Sequence, residues 1–243
     1  MQYLGGKSRL AKHIVKAILD DTDSRSRWVE PFVGGGSVFF EAARNFGEAF
    51  GADMQEDLIL MWQGLLSGEF TPPMNLLEDE WRELRDAEPS ALRGFAGFGC
   101  SFGGRFFEGY ARNIGGTNYA AQSARSILSD LEKIGDSVCS FANLDYLSVE
   151  YRDSDVIYFD PPYAKTKHYS SKRSGVGKFN HRLFWESATE LAKSGADVYV
   201  SEFEAPDDWI VVWEKDRNVG VGVQSGANYS KKTDKVFKWD GGA

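Results

Sequence analysis

Short apolar runs alternate with stretches of helical period along most of this chain. The apolar runs predict strands at 28–33, 49–52, 138–142, 156–159, 198–201, 209–213 and 235–239. Apolar residues at helical spacing predict helices at 8–19, 37–44, 56–66, 118–133 and 181–193. Strands that alternate with helices read as βαβ units, so the expected fold is α/β, with a doubly wound, mostly parallel sheet of seven strands. The alternation lapses between about 71 and 119. Pro72-Pro73 opens that stretch, an acidic helix is predicted at 78–87, and a tract rich in Gly, Phe and Arg runs from 94 to 116. It reads as a mainly helical insert, residues 71–135, dividing a sheet domain made of residues 1–70 and 136–243.

With 243 residues, 42% of them apolar, and seven tryptophans, the chain can bury a core sufficient for one full α/β domain with an insertion. Cys100 and Cys139 stand in unrelated contexts, without a CxxC or a Cys/His cluster. Neither a disulfide framework nor a metal site is expected, and a reducing cytoplasm fits. There is no apolar leader and no run of membrane-spanning length, so the expectation is a soluble cytoplasmic protein without a membrane partner, a monomer or weak dimer.

The net charge of −8 argues against a nucleic-acid partner until its distribution is considered. Between Pro161 and Trp185 stand Lys165, Lys167, Lys172, Arg173, Lys178 and Arg182, with two histidines and no acid. Between Ala91 and Ser129 four arginines, among them Arg105 and Arg112, face Glu108 alone. The acidic surplus collects elsewhere, notably at 78–88. A solvated charge run explains such segments about as often as a binding face does. The longer run directly follows the motif described next, which favours an anionic polymer there.

That motif is Asp160-Pro161-Pro162-Tyr163, at the end of the run Asp155-Val156-Ile157-Tyr158-Phe159. The prolines fix φ and remove backbone donors, leaving nearby carbonyls free to accept hydrogen bonds. An amino group that donates to Asp160 and to the Pro161 carbonyl keeps its lone pair outward, and Tyr163 can stack on the attached ring. The arrangement suits methylation of an exocyclic base nitrogen. Upstream, Val29-Glu30-Pro31-Phe32-Val33-Gly34-Gly35-Gly36-Ser37 reads as strand, glycine turn and helix start, where backbone can approach a ligand closely. Phe39 stands where a dinucleotide fold would have its third glycine. Asp53 ends the second strand, placed either for ribose hydroxyls or, within Asp53-Met54-Gln55-Glu56, for a capping box. Asp145-Tyr146 is either a loop Asx-turn or a partner for an adenine ring. In Tyr3-Leu4-Gly5-Gly6-Lys7 the double glycine brings Lys7 in close, beside an aromatic that could cover a ligand. His13, His168 and His181 show neither triad nor metal spacing.

Taken together, these residues resemble the Dam-type (D12 class) DNA adenine-N6 methyltransferases, in which cofactor motif, target-recognition insert and catalytic motif follow in that order. The compact form and abrupt start point to a phage or prophage member. The resemblance implies a Rossmann-like methyltransferase sheet, double-stranded DNA as partner, and S-adenosylmethionine as methyl donor with S-adenosylhomocysteine as product. It further implies that Tyr3, Lys7, Phe32, Gly34, Gly36, Asp53, Asp145, Tyr146 and Asp160 contact the cofactor, with Asp160 through Tyr163 at the target amine. Arg105 and Arg112 in the insert, and Lys165, Lys167, Lys172 and Arg173 beyond the catalytic motif, are the expected DNA contacts. The insert departs from the pattern, because 94–116 leaves little room for the two strands of a DNA-reading hairpin. Three rival readings stand: a methyltransferase for RNA or protein glutamine, a catalytically silent DNA-binding relative, and a nucleotide-dependent oxidoreductase.

Overall fold

The computed structural model describes residues 1–163, 179–220 and 229–241. Seven strands form one sheet in the order β3-β2-β1-β4-β5-β7-β6. β1 (Arg27–Glu30), β2 (Glu48–Asp53), β3 (Val138–Asn143), β4 (Asp155–Phe159) and β5 (Asp197–Glu202) pair in parallel. β7 (Tyr229–Trp239) runs antiparallel between β5 and β6 (Trp209–Gly220). Among the described residues the helices are α1 (Ala11–Asp21), α2 (Ser37–Ala43), α3 (Glu56–Ser67), α4 (Glu78–Arg85), α5 (Ala91–Gly94), α6 (Tyr119–Leu131) and α7 (His181–Lys193). The expected mostly parallel, doubly wound α/β sheet is present.

Successive strand residues point to opposite faces. Trp28, Tyr158, Tyr199 and Val236 enter one apolar cluster with residues of α1, α2, α3 and α6. Their neighbours Val29, Ile157, Phe159, Val198, Val200 and Phe237 enter a second cluster with Phe184 and Ala188 of α7. Burial on both faces explains why the central strands read as continuous apolar runs.

Several boundaries differ from the sequence reading. β1 stops at Glu30 rather than 33, since Pro31 has no N–H to give to the ladder. α1 starts at Ala11 rather than 8, because the Lys7 carbonyl accepts from the N–H groups of Leu10 and Ala11 at 2.7 and 2.8 Å in a tight turn ahead of the helix. β6 and β7 are far longer than predicted, reaching Gly220 and Tyr229.

The insert is mainly helical and is bolted to the sheet domain. Asp57 of α3 accepts the Ser90 N–H at 2.9 Å and pairs with Arg93. Gly94 lies so near the Asp57 carbonyl that an added Cβ would meet its oxygen at 2.2 Å. Arg93, counted with the basic residues on sequence, is therefore a half-buried anchor and not a surface cation. A π-helical turn, Phe95–Gly99, and a 3-10 turn, Phe102–Gly104, follow. Ser101 and Tyr110 form a single isolated bridge, and the described residues between 71 and 118 contain no strand hairpin.

Candidate functional site

β1 and β4 are neighbours at the centre of the sheet, and from there the strand order runs outward in both directions. In open α/β sheets ligands bind outside the carboxyl ends of the strands at such a reversal. A cavity of about 520 Å³ lies there, lined by Tyr3, Lys7, Glu30, Phe32, Gly34, Gly36, Asp53, Asp145, Tyr146 and all of Asp160-Pro161-Pro162-Tyr163. The residues expected to act in catalysis or on a cofactor are thus brought together, although they come from five separate parts of the chain.

Its charged centre is a pair. Lys7 Nζ stands 2.8 Å from Asp160 Oδ1 and 3.0 Å from Oδ2, with both side chains largely buried. Burial alone would depress the Lys7 ammonium, but the Asp160 carboxylate beside it outweighs burial and holds it above its ordinary value. Burial lifts the Asp160 carboxyl, and Lys7 pulls it back without cancelling the rise. Two charges this close in a poorly solvated site favour the ionised bridge. Lys7 Nζ also sits 4.6 Å from the Tyr163 ring centroid, a cation–π contact. Tyr163 packs edge-on against Phe203, centroids 4.7 Å apart. The sequence predicts Lys7 at a helix start; the structure puts it four residues ahead of α1, turned inward.

Glu30 is a lining residue that the sequence reading does not single out. It is buried, accepts from Trp28 Nε1 at 3.1 Å, and burial pushes its carboxyl well above the ordinary range, with nearby Asp160 adding to the rise. Its position within the glycine motif is the one signal that could have found it. Phe98 and Phe106 of the insert also line the cavity, as do Phe179 and Phe203.

The glycine turn works differently from the expectation that it leaves room for a ligand. Gly34 and Gly36 adopt left-handed φ of 46° and 71°, which costs side-chain-bearing residues about 1–2 kcal/mol. A Cβ on Gly34 would meet the Tyr3 ring at 2.7 Å, and one on Gly36 the Phe40 ring at 2.5 Å. The missing side chains make space for Tyr3 and Phe40, and this lets the turn's backbone form the cavity wall. Asp53 secures the same turn: Oδ2 accepts the Gly34 N–H and Oδ1 the Gln55 N–H, each at 3.0 Å. Gln55 is the N-cap of α3, so Asp53 lies two residues too early for the predicted capping box. Asp145 does form the Asx-turn, accepting the Leu147 N–H at 2.9 Å, while also lining the cavity.

Of the expected DNA contacts, Arg105 is exposed and pairs with Glu108 at 3.4 Å, and Arg112 is exposed and pairs with Glu78 of α4. Lys165, Lys167, Lys172 and Arg173 lie outside the described residues. Among those described, no helix is long and apolar enough to cross a membrane, and no cluster of His, Cys, Asp or Glu could hold a metal ion.

Residues 3–88 match the family model described as D12 class N6 adenine-specific DNA methyltransferase. That segment contains the Tyr3–Lys7 element, the glycine turn and Asp53, and the chain resembles this family there as the sequence reading expects. The match supports methyl transfer as the class of chemistry. No curated protein sequence matches the chain. Among solved structures, a putative RNA methyltransferase from Pyrococcus horikoshii is similar at 8% identity and TM-score 0.41, over 95% of this chain and 84% of that one. The tRNA (m1A58) methyltransferase TrmI from Aquifex aeolicus aligns at 11% identity and TM-score 0.40, over 98% and 70%. A putative methyltransferase, yhhF, from Escherichia coli aligns at 12% and 0.37, over 95% and 86%. Likenesses this weak carry nothing about substrate.

Proposed function

We propose that the protein is a site-specific DNA methyltransferase that moves a methyl group from S-adenosylmethionine to the N6 amino group of adenine. The observation that carries this reading is the meeting of the Asp160–Tyr163 turn and the glycine turn in one cavity at the sheet's reversal point.

The cavity fits the donor. Its volume is ordinary for a cofactor site, and Glu30, Asp53, Asp145 and Asp160 surround it with carboxyl groups suited to a cationic ligand. Asp53 would take the ribose hydroxyls with the lone pairs that Gly34 and Gln55 leave unused, since each carboxylate oxygen can accept twice. Asp145 would take the adenine amine, with Phe32 and Tyr146 beside the ring. When bound, S-adenosylmethionine supplies a methyl on a sulfonium, already activated for displacement.

The protein's part is alignment. The target adenine must leave the duplex, at a cost of a few kcal/mol, and would stack on Tyr163. Asp160 and the Pro161 carbonyl would each accept one N–H of its amino group, turning the nitrogen lone pair toward the methyl. The new N–CH₃ bond forms as the S–CH₃ bond breaks, its electron pair stays on sulfur, and the proton then shed by nitrogen leaves along its hydrogen bond to Asp160. Lys7 keeps Asp160 ionised and fixed throughout. Correct placement of reacting groups can supply several kcal/mol of a barrier. Residues 71–135 would recognise the target sequence.

Incubation with labelled S-adenosylmethionine and DNA, with RNA in parallel, tests the reading. The expected result is label on adenine N6 in DNA, lowered ~100–1000-fold in Asp160→Ala through loss of one preorganised partner. Label on RNA alone, or an alanine variant with near wild-type rate, overturns it.

A further inference from the structure

We propose that the outer half of the β6–β7 ribbon is a cationic arm that holds the phosphate backbone of duplex DNA beside the cavity, an inference resting on the DNA reading above. β5 stops pairing with β7 at Glu202↔Lys235, yet β6 and β7 remain paired for six further rungs, from Lys215↔Asp234 to Gly220↔Tyr229. At ~3.4 Å per residue the ribbon extends roughly 20 Å past the sheet. β7 is antiparallel to β5, so the ribbon leaves from the carboxyl ends of the parallel strands, the edge that carries Asp160. Its base adjoins the site. Asp234, on the first rung beyond β5, is 2% exposed and close enough to Lys7, Asp160 and Tyr163 to act on the charge of each.

Charge is sorted along the ribbon. The inner rungs set opposite charges against each other, Glu214↔Lys235 and Lys215↔Asp234, and Asp216 accepts from the Thr233 hydroxyl at 2.7 Å. Beyond Asp216 the charged residues of the two described strands are Arg217, Lys231 and Lys232, with no acid among them. The register sets Arg217 directly opposite Lys232. Like charges in that position destabilise an antiparallel pair, and the inner rungs show the stabilising alternative. A shared anion removes the conflict, and duplex DNA offers phosphates at regular spacing along a groove wide enough for a two-stranded ribbon. This also accounts for how a protein of net charge −8 could hold DNA: the cations belong to rungs that lie beyond the sheet and its acidic body.

The test uses the whole protein and a fluorescent DNA duplex, titrated by anisotropy across salt concentrations. Replacing Arg217, Lys231 and Lys232 together with glutamine should lower the salt slope by about 0.9 for each phosphate no longer neutralised, so by about 2–3. Cofactor affinity measured by calorimetry should stay unchanged, which also reports that the fold is intact. Arg217→Glu is the second variant. It sets an opposite charge against Lys232, so melting temperature should hold or rise while DNA affinity falls. Unchanged salt slopes in both variants, with a wild-type protein that methylates DNA, overturn the arm and leave the function standing. A wild-type protein that labels RNA alone overturns the DNA reading and the arm together.

Discussion

Lys7 and Asp160, 153 residues apart in sequence, meet with the ammonium 2.8 and 3.0 Å from the two carboxylate oxygens. The pair ties the segment ahead of α1 to the turn after β4, so it fixes the site's geometry as well as its charge. Lys7→Met keeps the aliphatic stem and removes the cation, leaving Asp160 buried without its partner. Breaking a buried pair from one side costs about 3–5 kcal/mol. The pH dependence has a definite sign. With Lys7 gone, burial raises Asp160 further, and a group whose folded pKa lies above its unfolded value loses its stabilising contribution as pH rises. The deficit against wild type should therefore be small near pH 4.5 and full at pH 7.5, as urea unfolding at the two values would read. An equal deficit at both would show that Asp160 is not the group left stranded.

Asp53 is expected to act on both stability and cofactor affinity. Its two oxygens satisfy the Gly34 and Gln55 N–H groups, and a buried donor left unsatisfied costs about 1–3 kcal/mol. Asp53→Ala should lower the melting temperature and weaken S-adenosylmethionine binding, because the turn that walls the cavity loosens and the ribose loses its acceptor. Calorimetry alongside thermal melting checks both effects. A lower melting temperature with unchanged affinity would reduce Asp53 to a brace for the glycine turn.

What is legible in the sequence follows from what is local. The central strands can be read because both faces are buried, which leaves unbroken apolar runs such as Val156 to Phe159. Asp160-Pro161-Pro162-Tyr163 and the glycine turn can be read because each packs its chemistry into one short segment. The outer rungs of the β6–β7 ribbon cannot, since the sequence there carries no apolar period to mark a strand. Nor can the partner of Lys7, which no local pattern encodes. Counting charges also misplaces Arg93, because a count does not separate an anchor on Asp57 from a surface cation. Asp53 fails as a capping box for a similar reason: a two-residue shift in the N-cap depends on how the strand end meets the glycine turn.

Glu30 should give the protein a pH-dependent weakness. Burial raises its carboxyl well above the ordinary glutamate range. A raised folded pKa means the stabilising contribution is fully present below the unfolded value of ~4.3 and is lost as pH climbs through the folded one. Glu30→Gln keeps an oxygen to accept from Trp28 Nε1 and cannot ionise. Relative to wild type the variant should gain stability as pH rises from about 4.5 to 8, a trend that melting temperatures across that range would read directly. A difference independent of pH would mean that Glu30 does not titrate differently on folding.

Gly36 provides a steric test of the turn. Its φ of 71° and the Phe40 ring 2.5 Å from an added Cβ impose two separate penalties on Gly36→Ala. The left-handed backbone costs about 1–2 kcal/mol, and forcing a methyl into packed surroundings typically costs about 1–3 kcal/mol more. Gly68, at φ 77° after α3, has nothing within 4 Å of an added Cβ, so Gly68→Ala should show the backbone penalty alone. The difference between the two variants in chemical unfolding isolates the contact with Phe40. Gly36→Ala should also weaken cofactor binding, since relief of the clash displaces the turn, whereas Gly68→Ala should leave it unchanged. Equal destabilisation by the two substitutions would show that Phe40 yields easily and that close packing beneath the turn does not hold it in place.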